Sequence, residues 1–540
     1  MTGVAAAGGG ERGPRAGPDG SQPASLIHRA VVTADQMRQI EARIFAAGMP
    51  VAALMEKVAG LIAERIKARF PQSAFPHIGV LVGPGHNGGD ALVVARELHL
   101  SGYGVQIYAP FSRLKELTEQ HARYAASLDI PFVQDVEVLQ DCSALIDGLF
   151  GFGLERALEG DLAQTVETIN SWPLPKVSID LPSGLHTDTG AVLGTALRAT
   201  HTLCLGLWKR AFFQDEALPY LGEVDLIDFG IPAVDVAAVL GQPPKVQRLT
   251  PEVAIARLPL PRPPATHKYR VGHLLLIAGS RQYGGAALLA GLGARASGVG
   301  MVTLAVPESL RGPFHAQLPE ALILGCPETE TGAIAHLPDD VDLDKFNAIA
   351  CGPGLSRQAQ TVVEQVLASN APLLLDADGL NLLAEQGATA TLSKRTAPTL
   401  LTPHPGEFKR LFPTIAEQSM EAGNAALAAA QASGAVIILK GGRSAIASPQ
   451  GQLWYLAAST PALARGGSGD VLTGLAAGLL AQSAHDPAQA IEGTLNAALS
   501  AAWWHAEAAR AAAQERSVLG VDPLTLTQFL DPTLAQWGKH

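Results

Sequence analysis

The chain is predicted to be α/β, built as two three-layer α/β/α domains in tandem. Three observations predict this. The 540 residues exceed what one hydrophobic core ordinarily holds. Short apolar runs closed by glycine alternate with helical periodicity, the pattern of a parallel sheet covered by helices on both faces. A segment carrying seven prolines (241–272) interrupts the alternation, which then starts again.

In the first half, "HIGVLVGPG" (77–85), "GVQIYAP" (104–110), "ALIDGLFG" (144–151), "PKVSIDLPSG" (175–184) and "THTLCLG" (200–206) read as buried strands. Helical stretches at 89–101, 114–127 and 161–170 lie between them. In the second half the strands are "HLLLIAGS" (273–280), "MVTLAV" (301–306), "NAIACGPG" (347–354), "PLLLDADGL" (372–380), "PTLLTPHPGE" (398–407) and "AVIILKGGRS" (435–444). The expected organisation is a disordered tail at 1–25, a domain at 26–240, a proline-rich linker at 241–264 and a second domain at 265–540. The halves share no fixed-period repeat, which argues against a solenoid.

Composition narrows the function classes. Hydrophobic residues make up 47% and charged residues 16%, enough apolar surface for packed cores. The formal charge of −11, with both signs interspersed, offers no basic stripe for nucleic acid. Cys142, Cys204, Cys326 and Cys351 are widely spaced without a CxxC pair, as expected of buried, reduced thiols in a cytoplasmic protein. The longest apolar runs fall short of the roughly 18 residues that cross a bilayer, so no membrane partner is expected. Residues 1–25 lack the apolar core of a secretory signal. The residue patterns allow a homo-oligomer without specifying one.

Chemistry is concentrated in glycine-rich strand ends. "ARGGSGDVLTG" (464–474) puts bare backbone amides and a helix start in front of Asp470, a cradle suited to phosphate. A carboxylate there would repel the anion unless it takes a proton from a hydroxyl attacking the phosphoryl group. Read alone, Asp470 is also an ordinary helix cap. Three further loops at strand ends, "CGPGL" (351–355), "TPHPGEF" (402–408) and "LKGGRSA" (439–445), favour a ligand site, because open α/β sheets bind ligands there.

In this order, "YGGAALLAG" (283–291), "GPGL", "DADGLN" (376–381), "TPHPGEF", "KGGRS" and "GGSGD" resemble the ADP- or ATP-dependent NAD(P)H-hydrate dehydratases of the ribokinase-like superfamily, over 265–535. The resemblance implies phosphorylation of the C6 hydroxyl of hydrated NADH or NADPH, followed by loss of phosphate. It implies Asp470 as base, with Ala287, Gly354, His404 and Asp470 facing the hydrate. Lys440, Gly441, Gly442, Arg443, Ser444 and Gly469 would hold the nucleotide, ADP by preference, with Mg2+ accompanying it. Serine stands at 444 and 468, where threonine is commoner, and Gly379 replaces an expected alanine.

In the first half, "VGPGHNGGDALVVAREL" (82–98) ends a strand and opens a helix, a phosphate- or nucleotide-binding turn that lacks the GxGxxG fingerprint. Asp147 in "IDGLFGFGL" and Asp180 with Ser183 in "IDLPSG" add oxygen donors at two more strand ends. Three such ends suit a hard monovalent cation plus one carboxylate for acid/base work. With "ALMEKVAG" (53–60) and "LWKRAFF" (207–213), these motifs resemble the NAD(P)H-hydrate epimerases, Rossmann-like in fold, over about 30–240. The resemblance implies that His86, Asn87, Gly88, Gly89 and Asp90, together with Gly151, Phe152, Gly153, Leu154, Glu155, Arg156 and Ala157, hold the dinucleotide. It makes Asp180 the acid/base and Asn87, Asp147 and Ser183 the K+ ligands. His86 and Ala91 depart from an expected asparagine and glycine.

Hydration leaves a stereocentre at C6, and a rigid dehydratase site reaches only one hand of it. A chain bearing both sites therefore resembles the bifunctional NAD(P)H-hydrate repair family. The alternative is a ribokinase-like small-molecule kinase fused to a non-catalytic Rossmann-like binding module.

Overall fold

The computed structural model describes residues 26–419, 421–456, 458–483 and 489–537; the expected tail lies outside them. The first sheet holds β1 (His77–Val82), β2 (Gly104–Tyr108), β3 (Phe132–Val133), β4 (Ala144–Gly148), β5 (Lys176–Ile179), β6 (His201–Leu205) and β7 (Glu223–Ile227). All are parallel, in the order β3-β2-β1-β4-β5-β6-β7. The order reverses between β1 and β4, so the loops leaving those two strands diverge and open a crevice at their carboxyl ends.

The second sheet holds β8 (Val246–Leu249), β9 (His273–Ile277), β10 (Met301–Pro307), β11 (Leu322–Cys326), β12 (Ala348–Cys351), β13 (Leu373–Leu375), β14 (Thr399–Leu401), β15 (Val436–Leu439), β16 (Ala445–Ala447) and β17 (Leu453–Leu456). Their order is β8-β17-β16-β15-β14-β13-β12-β9-β10-β11, with β16 antiparallel to both neighbours. The chain is thus α/β with two mostly parallel sheets. Here the reversal falls between β9 and β12, and the loops after β9, β12, β13, β14 and β15 share one edge.

The apolar runs become strands because both faces of each sheet are covered. Leu274, Leu275, Leu276 and Ile277 are all buried, the continuous pattern of an interior parallel strand. Two helices of the second half come unusually close. A Cβ on Gly474 would stand 1.8 Å from Ala290 O, and one on Gly293 would stand 2.2 Å from Val471 O. Helix Ser468–Ser483 therefore lies directly on helix Gly284–Ala296, fixing where its first turn points.

The expected linker carries structure of its own. Within it, β8 pairs parallel with β17, and Pro251–Ile255 forms a short helix. The prolines flank this strand rather than interrupt it, so they cost no ladder hydrogen bonds. The halves also share a core, because Trp208, Ala211, Phe212, Phe213 and Leu221 pack in one cluster with Leu439, Ala445 and Tyr455. The Phe213 and Tyr455 rings stack at 5.0 Å, and Arg210 bonds Glu421 at 2.8 Å.

Candidate active sites

In the first half the site is a cavity of about 660 Å³ at the β1/β4 reversal. His86, Asn87, Asp90 and the loop Gly151–Arg156 line it together with Asp180; Gly88, Gly89 and Ala157 are not among the lining residues. Helix His86–Leu100 opens at Gly85 with no side-chain cap, leaving its first amides for a ligand. Asp90 lies inside this helix and is no cap. Gly88 and Gly89 have a packing role instead, since a Cβ on the former would meet Gly83 O at 2.0 Å and on the latter Met55 Sδ at 2.8 Å. Burial and nearby Lys115 push the His86 imidazole pKa down, so a neutral ring faces the cavity.

Asp180 is 3% exposed and adopts a left-handed backbone (φ 68°), a strained conformation that surrounding contacts must hold. Its Oδ2 accepts from Phe152 N at 2.9 Å, which ties the Gly151–Ala157 loop to β5. Its Oδ1 faces Lys209 Nζ, which also donates to Leu205 O at 2.6 Å. Burial opposes the Lys209 charge, but Asp180, Cys204 and Glu41 together outweigh it and the ammonium pKa is raised. Glu41 also lines the cavity; burial pushes its carboxyl up to about 7, against the pull of Lys209 and with the push of Asp180. Asp90 is likewise raised by burial, Asp180 and Glu41.

The expected cation ligands come from adjoining strand ends. Asp147 Oδ1 accepts from Ser183 Oγ at 2.6 Å and Leu149 N at 3.2 Å; Oδ2 accepts from Ser178 Oγ at 2.8 Å and Ser183 N at 3.0 Å. Asn87 Nδ2 is buried without a hydrogen-bond partner. The set is all oxygen, with one buried carboxylate, a donor chemistry that fits a hard monovalent cation.

In the second half a cavity of about 470 Å³ lies at the ends of β15 and the start of helix Ser468–Ser483. All the residues expected to hold a nucleotide line it: Lys440, Gly441, Gly442, Arg443, Ser444 and Gly469. His505 closes it from below, with a ring nitrogen 2.9 Å from Ser468 O and a pKa that burial pushes down to about 4.

Asp470 is the third residue of its helix, half-buried and immediately beyond Gly469. It is not a cap. Burial raises its pKa to about 7, with Asp376 and Asp378 adding to the rise and Lys440 opposing it. His404 caps helix Pro405–Leu411 through Nδ1, which accepts from Gly406 N at 3.0 Å. Burial, Lys440 and Arg410 keep that ring neutral. His404, Asp470, Asp376 and Lys440 thus form one electrostatic cluster. Gly354 (φ 65°) lies three residues beyond β12, where a Cβ would meet Tyr283 O at 2.7 Å. Ala287 is fully buried, its methyl packed toward Gly279.

A family profile described as NAD(P)H-hydrate dehydratase matches residues 274–532, and one described as YjeF-related protein N-terminus matches 51–211. The bifunctional NAD(P)H-hydrate repair enzyme Nnr of Synechocystis sp. is 54% identical over 511 residues, covering 94% of this chain and 95% of that protein. The chain belongs to the bifunctional NAD(P)H-hydrate repair enzymes.

Another member of this repair family, from Thermosynechococcus vestitus, is 53% identical over 94% of this chain and 97% of its own. Among solved structures, the ADP/ATP-dependent NAD(P)H-hydrate dehydratase of Bacillus subtilis, co-crystallised with ATP/Mg2+, is 33% identical and covers 54% of this chain and 98% of its own, with a TM-score of 0.45. Sequence reading of this family member assigned no role to Lys209, Glu41 or Asp376. Lys209 lay inside a quoted motif, and Asp376 opens "DADGLN", but their partners are 29 and 64 residues away. Only the fold brings them together.

Proposed function

We infer that this chain repairs hydrated nicotinamide cofactors, interconverting the R and S hydrates of NADH and NADPH in the first half and dehydrating the S form in the second at the expense of a nucleotide. The observation that carries the reading is the pair of cavities on one chain, each at its sheet's ligand-binding edge, one holding Asp180 and the other bounded by the Lys440–Ser444 loop beside Asp470. The near full-length relationship to the repair enzymes supports it.

In the dehydratase half, Asp470 takes the proton of the C6 hydroxyl while that oxygen attacks the terminal phosphoryl group of the nucleotide, ADP by preference, and the bridging P–O bond breaks to release AMP. The amides of the glycine loops stabilise the charge that develops on the phosphoryl oxygens. The C6–O bond then breaks with the phosphate leaving, the C5 proton passes to water, and the C5–C6 double bond of the reduced ring is restored. Mg2+ would enter with the nucleotide. It supplies positive charge against the phosphates; no side chain is assigned to it.

In the epimerase half, Asp180 serves as acid/base while the C6–O bond breaks with loss of water and water re-adds to the opposite face of the ring, which inverts C6, and the loops His86–Asp90 and Gly151–Ala157 hold the dinucleotide. Asn87, Asp147 and Ser183 would hold K+, whose charge would favour the adjoining phosphates. Repair is tested by adding ADP to each separated epimer and following the reduced-nicotinamide absorbance. Regain of absorbance from both epimers supports the reading; a phosphorylated hydrate that accumulates without absorbance supports a small-molecule kinase.

A further inference from the structure

We propose that Asp215 and Leu218, which belong to the first half, are parts of the nucleotide site of the second. The proposal rests on the reading of the 470 Å³ cavity as that site. Asp215 Oδ2 accepts from Gly442 N and Oδ1 from Arg443 N, both at 2.9 Å. Two consecutive amides of the Lys440–Ser444 loop are thus held by a carboxylate more than two hundred residues earlier in the chain. Asp215 does not line the cavity, whereas Leu218 does. The carboxylate grips the loop from behind, and the leucine supplies wall.

The glycines of the loop fit this contact closely. A Cβ on Gly441 would stand 2.9 Å from Asp215 Oδ2, and one on Gly442 would stand 2.9 Å from Leu218 Cδ1 and 3.0 Å from Asp215 Oδ1. At these distances a side chain in the loop would force Asp215 or Leu218 to shift. The pair of glycines read as a device for approaching phosphate is therefore also what lets the first half approach the loop. The amides of Gly442 and Arg443 are already engaged, so the nucleotide meets the remaining donors of the loop and the Arg443 side chain, whose Nε is buried without a partner. Asp215 positions that arginine by fixing its backbone and sets a counter-charge beside it. Burial lowers the Arg443 pKa, and Asp215 opposes that lowering.

Asp215 is a positioning residue and Leu218 a wall residue. Their effect belongs in nucleotide affinity and not in the chemical step. ADP is titrated calorimetrically into the full chain and into Asp215→Ala, Asp215→Asn and Leu218→Ala variants. Dehydration kcat, the KM for ADP and the epimerase rate are measured on the same preparations. Asp215→Ala is expected to raise the ADP Kd and KM about tenfold, the scale of losing charge-assisted hydrogen bonds at a partly wet site. Dehydration kcat at saturating ADP should change less than twofold, and Asp215→Asn, which keeps one acceptor oxygen, should fall between. Leu218→Ala should also raise the Kd. An ADP Kd within twofold of wild type in both Asp215→Ala and Leu218→Ala would overturn the proposal. So would a loss of kcat equal to the loss of affinity. If Asp215→Ala does not fold, an unchanged Kd in Asp215→Asn and Leu218→Ala overturns it equally. A wild-type chain that binds no ADP would instead remove the nucleotide reading, and this inference with it.

Discussion

Lys440 Nζ stands 2.9 Å from Asp376 Oδ1, and the other oxygen of that carboxylate accepts a 2.6 Å hydrogen bond from Thr473, one helical turn beyond Asp470. A cation and a hydroxyl are both spent on Asp376, leaving Asp470 beside a fixed negative charge in a half-buried position. After burial itself, Asp376 is the largest influence raising the Asp470 pKa to about 7. A base poised there abstracts a proton near neutrality and still returns it.

Replacing the proposed base should stop dehydration and spare nucleotide binding. Asp470→Asn is expected to lower kcat by about two to four orders of magnitude, the usual contribution of a positioned general base. The ADP Kd should stay within a few-fold, and calorimetry with a turnover assay on the same sample checks both.

The pH dependence follows from the sign of the shift. As the proposed base, Asp470 would act only when ionised, so dehydration kcat should rise with pH through about 7 and fall away below it. Stability runs the other way. Its folded pKa lies above the ordinary aspartate value, so ionising it costs folding free energy, beginning near pH 4 and reaching its full extent above about 7. Asp470→Asn removes that cost and should melt higher than wild type at pH 8, by about 1 °C for each kcal/mol recovered in a chain of this size, and should melt with wild type near pH 4. A lower Tm at pH 8 would contradict the desolvated placement of this carboxylate.

In the first half, Asp180 and Lys209 are buried partners, and removing one strands the other. Lys209→Met is expected to destabilise the chain by about 3–5 kcal/mol, whereas Asp180→Asn combined with Lys209→Met should recover much of that loss, because no uncompensated charge remains. Both should abolish enzymatic epimer conversion. Denaturant unfolding and a chiral assay of each hydrate separate the two effects.

The helix that carries Asp470 is seated through glycine. Gly474→Ala would drive a methyl group into Ala290 O, with a cost of about 1–3 kcal/mol from overpacking. Because the helix must shift to relieve it, dehydration kcat should drop while epimerisation is retained. Equal kcat in the variant would show that the helix position is not critical to the base.

The interior parallel strands were legible in the sequence because strands buried on both faces are continuous apolar runs, as in Leu274–Ile277 or Val436–Ile438, whereas the edge strands β3, β7 and β11, short or only partly buried, were not. Strand β8 was not: Val246–Leu249 reads "VQRL", with two polar residues among prolines, and is a strand only because β17 offers it an edge. Strands β16 and β17 were missed for a related reason, being three and four residues long directly after a loop assigned to ligand binding. The glycine loops, Asp180 and Asp470 were legible as candidates from their spacing at strand ends. Their partners were not, since Asp180–Lys209, Asp376–Lys440 and Asp215–Gly442 join residues that no local pattern relates.

The place of β8 in the second sheet bears on how the two activities can be separated. A fragment beginning at 265 would leave the backbone of β17 unpaired along a hydrophobic border, an open template for another strand. Severing the halves without that penalty requires the cut to precede Val246, and a fragment trimmed to the start of β9 is expected to aggregate.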